Sequence, residues 1–589
     1  MSSPRTLSSK LNAWIDELRQ SENQLTLVLS LVVGVLVGLV TVGFILVTGR
    51  LAARMYPAGG AGWRRILVPV FGSLSTGFLL ARYFPFARGS GIPQTKFALA
   101  VNDGHIKLRT VLGKLLCCST SLASGIALGR EGPAVQVGAG VASVIGRGSG
   151  LSPNQVKALV PVGCAAALAA AFNTPIAAVM FTLEEIMGDL HATVLGTAVL
   201  SSAASWMVLH FFLGDDPLFH VPGYRLVHPS ELGVYAVLGV VGGLGSVAFV
   251  KLVLKLRERF LRLPAKTLWL QPVAGGLTIA LLGYFFPDVM GVGYNYVDRV
   301  LNGDVILKMV VLLGLLKILA TAMCYASGNA GGIFGPSLFI GAMMGAATGG
   351  VAHKLFPGST AGPGAYALVG MGTAFAGIIR TPFTSVIMIF ELTRDYTIIV
   401  PVMISNTIAY FISQKLQPEA IYEALAHQDG VHLPGGHSRA QSRTGDVSFV
   451  MRPAPLVLSS DTGVETAVRQ TADFELDAWP VAEHDNLCGM IRTADMTREF
   501  AAGSGAKTLG ELLKDQSQGN PVSEDFPHVH RDHSLHLVLE RMGSSGLRVL
   551  PVVSRADVRV LLGIVVMADV LKAYGLSNPS PLDATGGGI

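Results

Sequence analysis

The chain has 589 residues, 50% hydrophobic and only 14% charged, with a mean hydropathy of +0.51. Soluble domains carry about 25% charged residues, so a wholly soluble protein is excluded and a membrane protein with a polar appendage is expected. A net charge of +5 is small for this length and argues for no nucleic-acid partner.

Residues 1–23 are polar and of mixed charge and read as an aqueous, cytoplasmic lead-in. Residues 25–48 carry no charge and are long enough to cross a hydrocarbon core of about 30 Å, so a retained transmembrane helix is expected. Apolar stretches then recur to about Phe411, uneven in length and broken by Gly and Pro. Residues 158–183 and 318–352 are charge-free yet interrupted by Pro161, Pro175 and Pro336. That pattern fits helices that stop partway, with their ends buried around a polar cavity. The cysteines Cys117, Cys118, Cys164, Cys324 and Cys488 have no metal-ligand spacing, and the four in or beside apolar stretches read as small core residues.

The membrane region repeats itself. Gly89-Ser90-Gly91 returns as Gly291-Val292-Gly293 at an offset of 202, and Gly132-Pro133 as Gly335-Pro336 at 203. Thr174-Pro175 with its apolar run to Glu184 returns as Thr381-Pro382 with its run to Glu391 at 207. Two related halves, about 24–250 and 267–425, meeting at a midplane site form a transporter design. Between them Lys251, Lys255, Arg257, Arg259, Arg262 and Lys266 face only Glu258, which places that connection on the cytoplasmic side. Arg50, Arg54, Arg64 and Arg65 after the first span pull the other way, and the longer cluster is given the greater weight.

Three stretches carry the chemistry. Gly129-Arg130-Glu131-Gly132-Pro133-Ala134-Val135-Gln136 sets a carboxylate among small residues where a helix can begin, after a charge-free approach. At membrane depth such a group is costly and reads as functional, although a first-turn acid at a membrane edge has the same appearance. Gly89-Ser90-Gly91-Ile92-Pro93 and Gly331-Gly332-Ile333-Phe334-Gly335-Pro336 offer further Gly-rich helix starts, each by itself more often a tight turn or close crossing. Together they describe a moderate anion site: helix N-termini and a hydroxyl supply partial positive charge and donors, and no buried cation is expected, because a full charge would hold the ion too long.

The motifs GSGIP, GREGPAVQ and GGIFGP, in this order, resemble the CLC family of chloride channels and proton/chloride exchangers, over about residues 25–425. The resemblance implies an all-α polytopic membrane fold of two inverted halves with tilted and broken helices. It also implies a homodimer in the bilayer, with one anion pathway per subunit and no cofactor required. By motif, Ser90 and the amides of Ile333 and Phe334 would coordinate chloride, and Glu131 would be the gating glutamate. Tyr422, in Gln417-Pro418-Glu419-Ala420-Ile421-Tyr422-Glu423, would supply a further hydroxyl, or else be an interfacial anchor. Glu185, in Leu183-Glu184-Glu185-Ile186, resembles the internal proton-transfer glutamate of exchangers, where channels usually carry an apolar residue. Proton-coupled chloride exchange is therefore expected, with a passive voltage- or pH-gated channel as the alternative. Ser90, where nitrate exchangers have proline, favours chloride, and the gating loop differs from that of fluoride-specific relatives. Glu391 is expected to be structural or water-facing. A CBS-regulated divalent-cation transporter is a more distant rival that would need converging acids. No nucleophile–base constellation points to an enzyme.

From residue 426 to 446 the chain reads as a linker, followed by two α/β units within 447–577. Trp479-Pro480-Val481 returns as Leu550-Pro551-Val552, and Gly489-Met490-Ile491 to Asp495 returns as Gly563-Ile564-Val565 to Asp569. These units resemble tandem CBS domains. The resemblance makes Asp495 and Asp569 candidates for holding the ribose of an adenine nucleotide, against a purely supporting role in a dimer. The tail is expected to be cytoplasmic, beneath a bacterial inner membrane, and residues 578–589 to be disordered.

Overall fold

The computed structural model describes residues 22–574 except 58, 191–193, 222, 224–225, 304–305, 431–445, 475, 485, 504, 517–525 and 556. Nearly all of the lead-in, the body of the linker and the terminal 578–589 lie outside the described residues. The chain divides after Pro434 into two compact units.

Among the described residues the first unit is built of helices. Its first half holds α1 (Glu22–Met55), α2 (Gly62–Arg82), α3 (Ile92–Val101), α4 (Leu108–Ala123), α5 (Glu131–Gly148), α6 (Pro153–Phe172), α7 (Pro175–Phe181) and α8 (Leu195–Leu213). Its second half holds α9 (Glu231–Leu261), α10 (Pro272–Phe285), α11 (Tyr294–Leu301), α12 (Leu307–Ala326), α13 (Phe334–Leu355), α14 (Pro363–Ile378), α15 (Pro382–Thr393) and α16 (Ile399–Leu416), followed by α17 (Ile421–Gln428). The elements correspond in order from α1 and α9 to α8 and α16, as the repeated motifs require. Helix α17 runs past residue 425 into the stretch read as linker. Eight helices among the described residues are long and apolar enough to cross a membrane, and α10, α14 and α15 are shorter apolar helices. The outer faces are apolar too, with Phe211, Leu281 and Leu315 exposed, as lipid contact demands.

Proline explains where several helices start. Pro153, Pro175, Pro272, Pro363 and Pro382 each stand in a first turn, where the missing N–H costs nothing. Pro336 likewise falls in the first turn of α13. Pro161 is different: it was expected to break its apolar stretch, yet α6 runs through it. A buried membrane helix tolerates proline because neighbouring groups re-satisfy the freed backbone.

Glycine sets how closely the core helices pack. A methyl on Gly138 would strike the Gly163 carbonyl and the reverse, and the same holds for Gly341 and Gly370. The α5–α6 and α13–α14 pairs are therefore in backbone contact through equivalent glycines, the small-residue packing that membranes favour.

The second unit is two α/β modules. In the first, β1 (Leu458–Ser459) pairs in parallel with β2 (Ala478–Glu483), which pairs antiparallel with β3 (Asn486–Arg492). Helices α18 (Val464–Thr471), α19 (Thr493–Ala501) and α20 (Leu509–Gln516) accompany it. In the second, α21 (Leu535–Ser545) precedes the antiparallel pair β4 (Val549–Val553) and β5 (Leu561–Val566), and α22 (Met567–Ala573) ends it. The repeat is kept in register: Val481 faces Gly489, and Val552 faces Gly563. Trp479 is fully buried in the first core, its Nε1 donating to Thr493 Oγ1 at 3.0 Å, and Ala478, Val549 and Ile564 pack together between the modules.

The loop before α21 carries a pH-sensitive contact. His533 Nδ1 accepts the His530 backbone N–H at 3.2 Å, so that ring nitrogen must be unprotonated. Burial, with His530, Arg541 and Arg555 nearby, lowers the His533 pKa below its ordinary value near 6.5. A depressed histidine protonates more readily unfolded, so stability present above pH 6.5 is lost as pH falls below it. Hydrogen exchange of residues 528–545 in the full chain, corrected for its intrinsic pH dependence, is expected to quicken between pH 7 and 5.5, and His533→Gln to flatten the change.

Candidate functional site

The two Gly-rich motifs of the carboxylate and the second half meet directly. Gly129 and Gly332 exchange both backbone hydrogen bonds at 2.7 Å, forming a short antiparallel bridge. Helices α5 and α13 begin just beyond it, at Glu131 and Phe334. The GSGIP turn lies against the same place, for a methyl on Gly91 would sit 2.5 Å from the Gly132 carbonyl, and one on Gly132 would sit 2.7 Å from the Ser90 carbonyl. Gly91 has φ +106, a region that L side chains rarely adopt, and its N–H donates to Gln94 Oε1 at 2.9 Å as α3 begins. Three helix N-termini are thus gathered by backbone contact, and each carries partial positive charge.

Ser90 and Tyr422 are both fully buried, and neither hydroxyl makes a hydrogen bond of normal geometry, although the buried Tyr325 hydroxyl lies beside Ser90. Such groups cost about 1–3 kcal/mol each when left unpaired, so they mark a place built for an acceptor. Tyr422 reaches inward because Arg380 fixes the turn before α17: its guanidinium donates to Pro418 O at 2.8 Å, Ser413 O at 3.1 Å and Gln417 O. The electrostatic neighbours of Tyr422 include Glu185, Tyr325 and Glu131, which joins it to the other site residues. Ile333 is buried, and Phe334 is packed among Phe172, Phe181 and Phe375 at ring distances of 4.6, 5.4 and 4.4 Å.

Glu131 is fully buried at the start of α5. Its Oε1 accepts the Tyr294 hydroxyl at 2.6 Å, and its Oε2 has no hydrogen-bond partner. The carboxylate lies against the amino end of α13, since a methyl on Gly129 would overlap Oε2 and one on Gly335 would sit 3.1 Å from it. A negative group there competes for the field an anion would use.

After α7 the chain widens into a π-helical turn, Thr182–Met187, which carries Glu184 and Glu185. Glu184 caps α15, accepting from Thr384 N at 2.8 Å, Thr384 Oγ1 at 2.7 Å and Phe383 N at 3.3 Å. Glu391 caps α7 in return, accepting from Ile176 N at 2.9 Å and Ala177 N at 2.7 Å. Of the two roles open to Glu391, the structure gives it the structural one. Glu185 instead pairs with Lys96 Nζ at 2.7 Å, in a nearly buried ion pair.

Three buried cations among the described residues correct the expectation of none: Arg380, at the turn before Tyr422, and two lysines. Lys114 is fully buried and donates to Ala87 O at 2.9 Å and Gly89 O at 2.8 Å. Lys317, its counterpart in the second half, donates to Val289 O at 2.9 Å and Gly291 O at 2.6 Å. Each ammonium ties down a glycine turn. The one under Gly89 stands next to Ser90, with two carbonyls taking up its donors, so it adds a tempered positive field rather than a direct ion pair.

A family model described as voltage gated chloride channel matches residues 71–414, more than half the chain. The chain belongs to the voltage-gated chloride channel family. CBS domain models match residues 445–502 and 522–576. Similar curated proteins include a putative chloride channel protein ClcB-like from Ralstonia nicotianae, 32% identical over 67% of this chain and 89% of that protein. The H(+)/Cl(-) exchange transporter ClcA of Vibrio cholerae is 31% identical over 68% of this chain and 89% of its own length. A slow cyanobacterial Cl-/H+ antiporter aligns with a TM-score of 0.63 and 27% identity, over 69% of this chain and 97% of that one. A eukaryotic CLC transporter shares the fold over 94% of this chain and 99% of its own, with a TM-score of 0.61 and 21% identity. Tyr422 falls just beyond the stretch matched by the chloride channel family model.

Lys96, Lys114, Lys317 and Tyr294 were not singled out from the sequence in this chloride channel family member. The signal for the two buried lysines was available: they stand in apolar runs separated by the same offset, 203, as the glycine–proline motifs. In the CBS modules, Asp495 lies in the first turn of α19, 3.5 Å from Arg498, and Asp569 lies in that of α22, 3.5 Å from Arg452 Nε. Asp569, Arg452 and Lys572 line a cavity of about 350 Å³ with Phe449 and Val450.

Proposed function

We propose that this protein exchanges chloride for protons across the membrane, with Glu131 as the gate. The observation that carries the reading is the buried Glu131 carboxylate, set at the amino end of α13, together with the buried hydroxyls of Ser90 and Tyr422 that make no hydrogen bond of normal geometry. Chloride is held by Ser90, Tyr422 and the amides of Ile333 and Phe334. The ionised carboxylate competes for that seat, and a proton removes the competition, so anion movement and protonation are linked. Glu185 passes the proton on the inner side. The names of the relatives, exchange transporter and antiporter, support this reading.

Further proposals follow from the family. The protein works as a homodimer with one pathway in each subunit. It sits in a bacterial inner membrane with its CBS pair cytoplasmic. Supporting that side, Arg257 of the basic connection pairs with Asp429 at 2.5 Å, and Gln428 donates to Leu254 O at 3.0 Å, so the end of α17 lies at the basic end of α9. Asp495 and Asp569 hold an adenine nucleotide, with Arg452 beside Asp569.

A passive chloride channel is the second reading, favoured by the Lys96–Glu185 pair, because a carboxylate tied to an ammonium is engaged in a fixed contact rather than free to relay a proton. Liposomes containing the full chain decide between them. Chloride driven down its gradient is expected to move protons in the opposite direction, and Glu185→Gln to stop the protons while chloride still flows. Chloride flow with no proton movement in the unmodified protein would establish the channel.

A further inference from the structure

The two halves have diverged where their equivalent glycine turns meet the site. In the first, the residue between the glycines is Ser90 and the residue after them is Ile92. In the second, the residue between is Val292 and the residue after is Tyr294. One turn thus offers its hydroxyl to the anion seat, and the other offers its hydroxyl to the carboxylate that competes for that seat.

The geometry points to Tyr294 as a positioning residue that holds ionised Glu131 at the amino end of α13 and so sets how readily the gate opens. This rests on the reading of Glu131 as the gate. The phenol is the first residue of α11 and donates to Glu131 Oε1 at 2.6 Å. It is held there from three sides. Lys317 pins the preceding turn through Val289 O and Gly291 O, and the ring packs edge-on against Phe219 at 5.3 Å and 86°. Gly335 leaves the space, since a methyl there would lie 2.8 Å from the phenol oxygen and 3.1 Å from Glu131 Oε2. The other titratable or charged neighbours are Arg130, preceding Glu131, and Tyr422, whose hydroxyl belongs to the anion seat.

A phenol donating to a carboxylate favours its ionised form, because the neutral acid is a much poorer acceptor. Removing that donor has two effects of the same sign. The carboxyl protonates at higher pH, and the unprotonated carboxylate leaves its position more easily. Ile92, the equivalent residue of the first half, has nothing to donate.

The test is chloride efflux from liposomes holding the full chain, measured from pH 4.5 to 8 for the unmodified protein, Tyr294→Phe, Glu131→Gln and the double variant. Tyr294→Phe is expected to move the pH of half-maximal flux upward by roughly one unit and to raise flux at pH 7 several-fold. In the Glu131→Gln background it is expected to change nothing. Gly335→Ala approaches the contact from its other side by crowding the phenol oxygen, and the same upward shift is expected, which serves if Tyr294→Phe does not fold. An unshifted profile in the folded variant, beside a pH-insensitive Glu131→Gln, overturns the tyrosine's role and leaves the gate standing. Equal effects of Tyr294→Phe with and without Glu131 assign it to the scaffold and overturn the inference too. A Glu131→Gln profile that still follows pH overturns both readings.

Discussion

Glu131→Gln is expected to leave chloride flux high and independent of pH while proton transport stops. Glutamine matches the side chain in size and keeps an oxygen for the Tyr294 hydroxyl, so the loop at α5 has no reason to rearrange. It lacks the charge and the titration. An ionised oxygen at the amino end of α13 competes with an anion for the same partial charges, and a neutral amide does so weakly. A difference of about 1.4 kcal/mol between the two competitors is already tenfold. Flux at pH 7.5 is therefore expected to rise tenfold or more over the unmodified protein, and the two to converge as the pH is lowered toward 4.5. Chloride efflux and proton uptake recorded on the same vesicles check both halves. A variant that still moves protons against chloride would remove Glu131 from the coupling altogether. Glu185→Gln separates the two steps, because it leaves the Glu131 seat untouched and breaks only the route beyond the Lys96 pair.

Much of the membrane fold was legible because its devices are local. Glycine and proline mark helix starts by their own backbone chemistry, so the motifs around Ser90, Glu131 and Phe334 could be placed at helix ends from sequence alone. The duplication was legible from offsets near 203, and the structure places the repeated motifs on equivalent elements. Pro161 misled, because a proline is read as a breaker while the surrounding helices hold α6 together through it. The partners that span the halves were hidden for a different reason. Glu184 and Glu391 cap each other's equivalent helices, yet each finds its donors about 200 residues away, and nothing near either acid announces that. Lys114 and Lys317 were missed because their partners are backbone carbonyls, which every residue has. The sequence reading of a site without buried cations judged only a direct ion pair, whereas the fold uses the charge one step removed, to hold the turn that presents the hydroxyl.

That arrangement makes Lys114→Met and Lys317→Met an informative pair. Methionine fills nearly the same volume but donates nothing, so each variant strands two buried carbonyls: those of Ala87 and Gly89, or those of Val289 and Gly291. At about 1–3 kcal/mol for each unpaired group, both variants are expected to lose several kcal/mol of stability, seen as a clear fall in melting temperature in detergent. Their effects on chloride are expected to differ. The turn over Lys114 carries Ser90, so relaxing it moves an anion ligand and also removes a nearby positive charge. A tenfold or greater loss of chloride affinity is expected by calorimetry at fixed pH. The turn over Lys317 carries Val292 in that place, with Tyr294 after it, so chloride affinity should change far less and the gate should respond instead, with the pH profile of flux moving upward. If the two substitutions weaken chloride equally, the lysines act through long-range charge alone, and the assignment of Ser90 to a rigid, lysine-held turn is wrong.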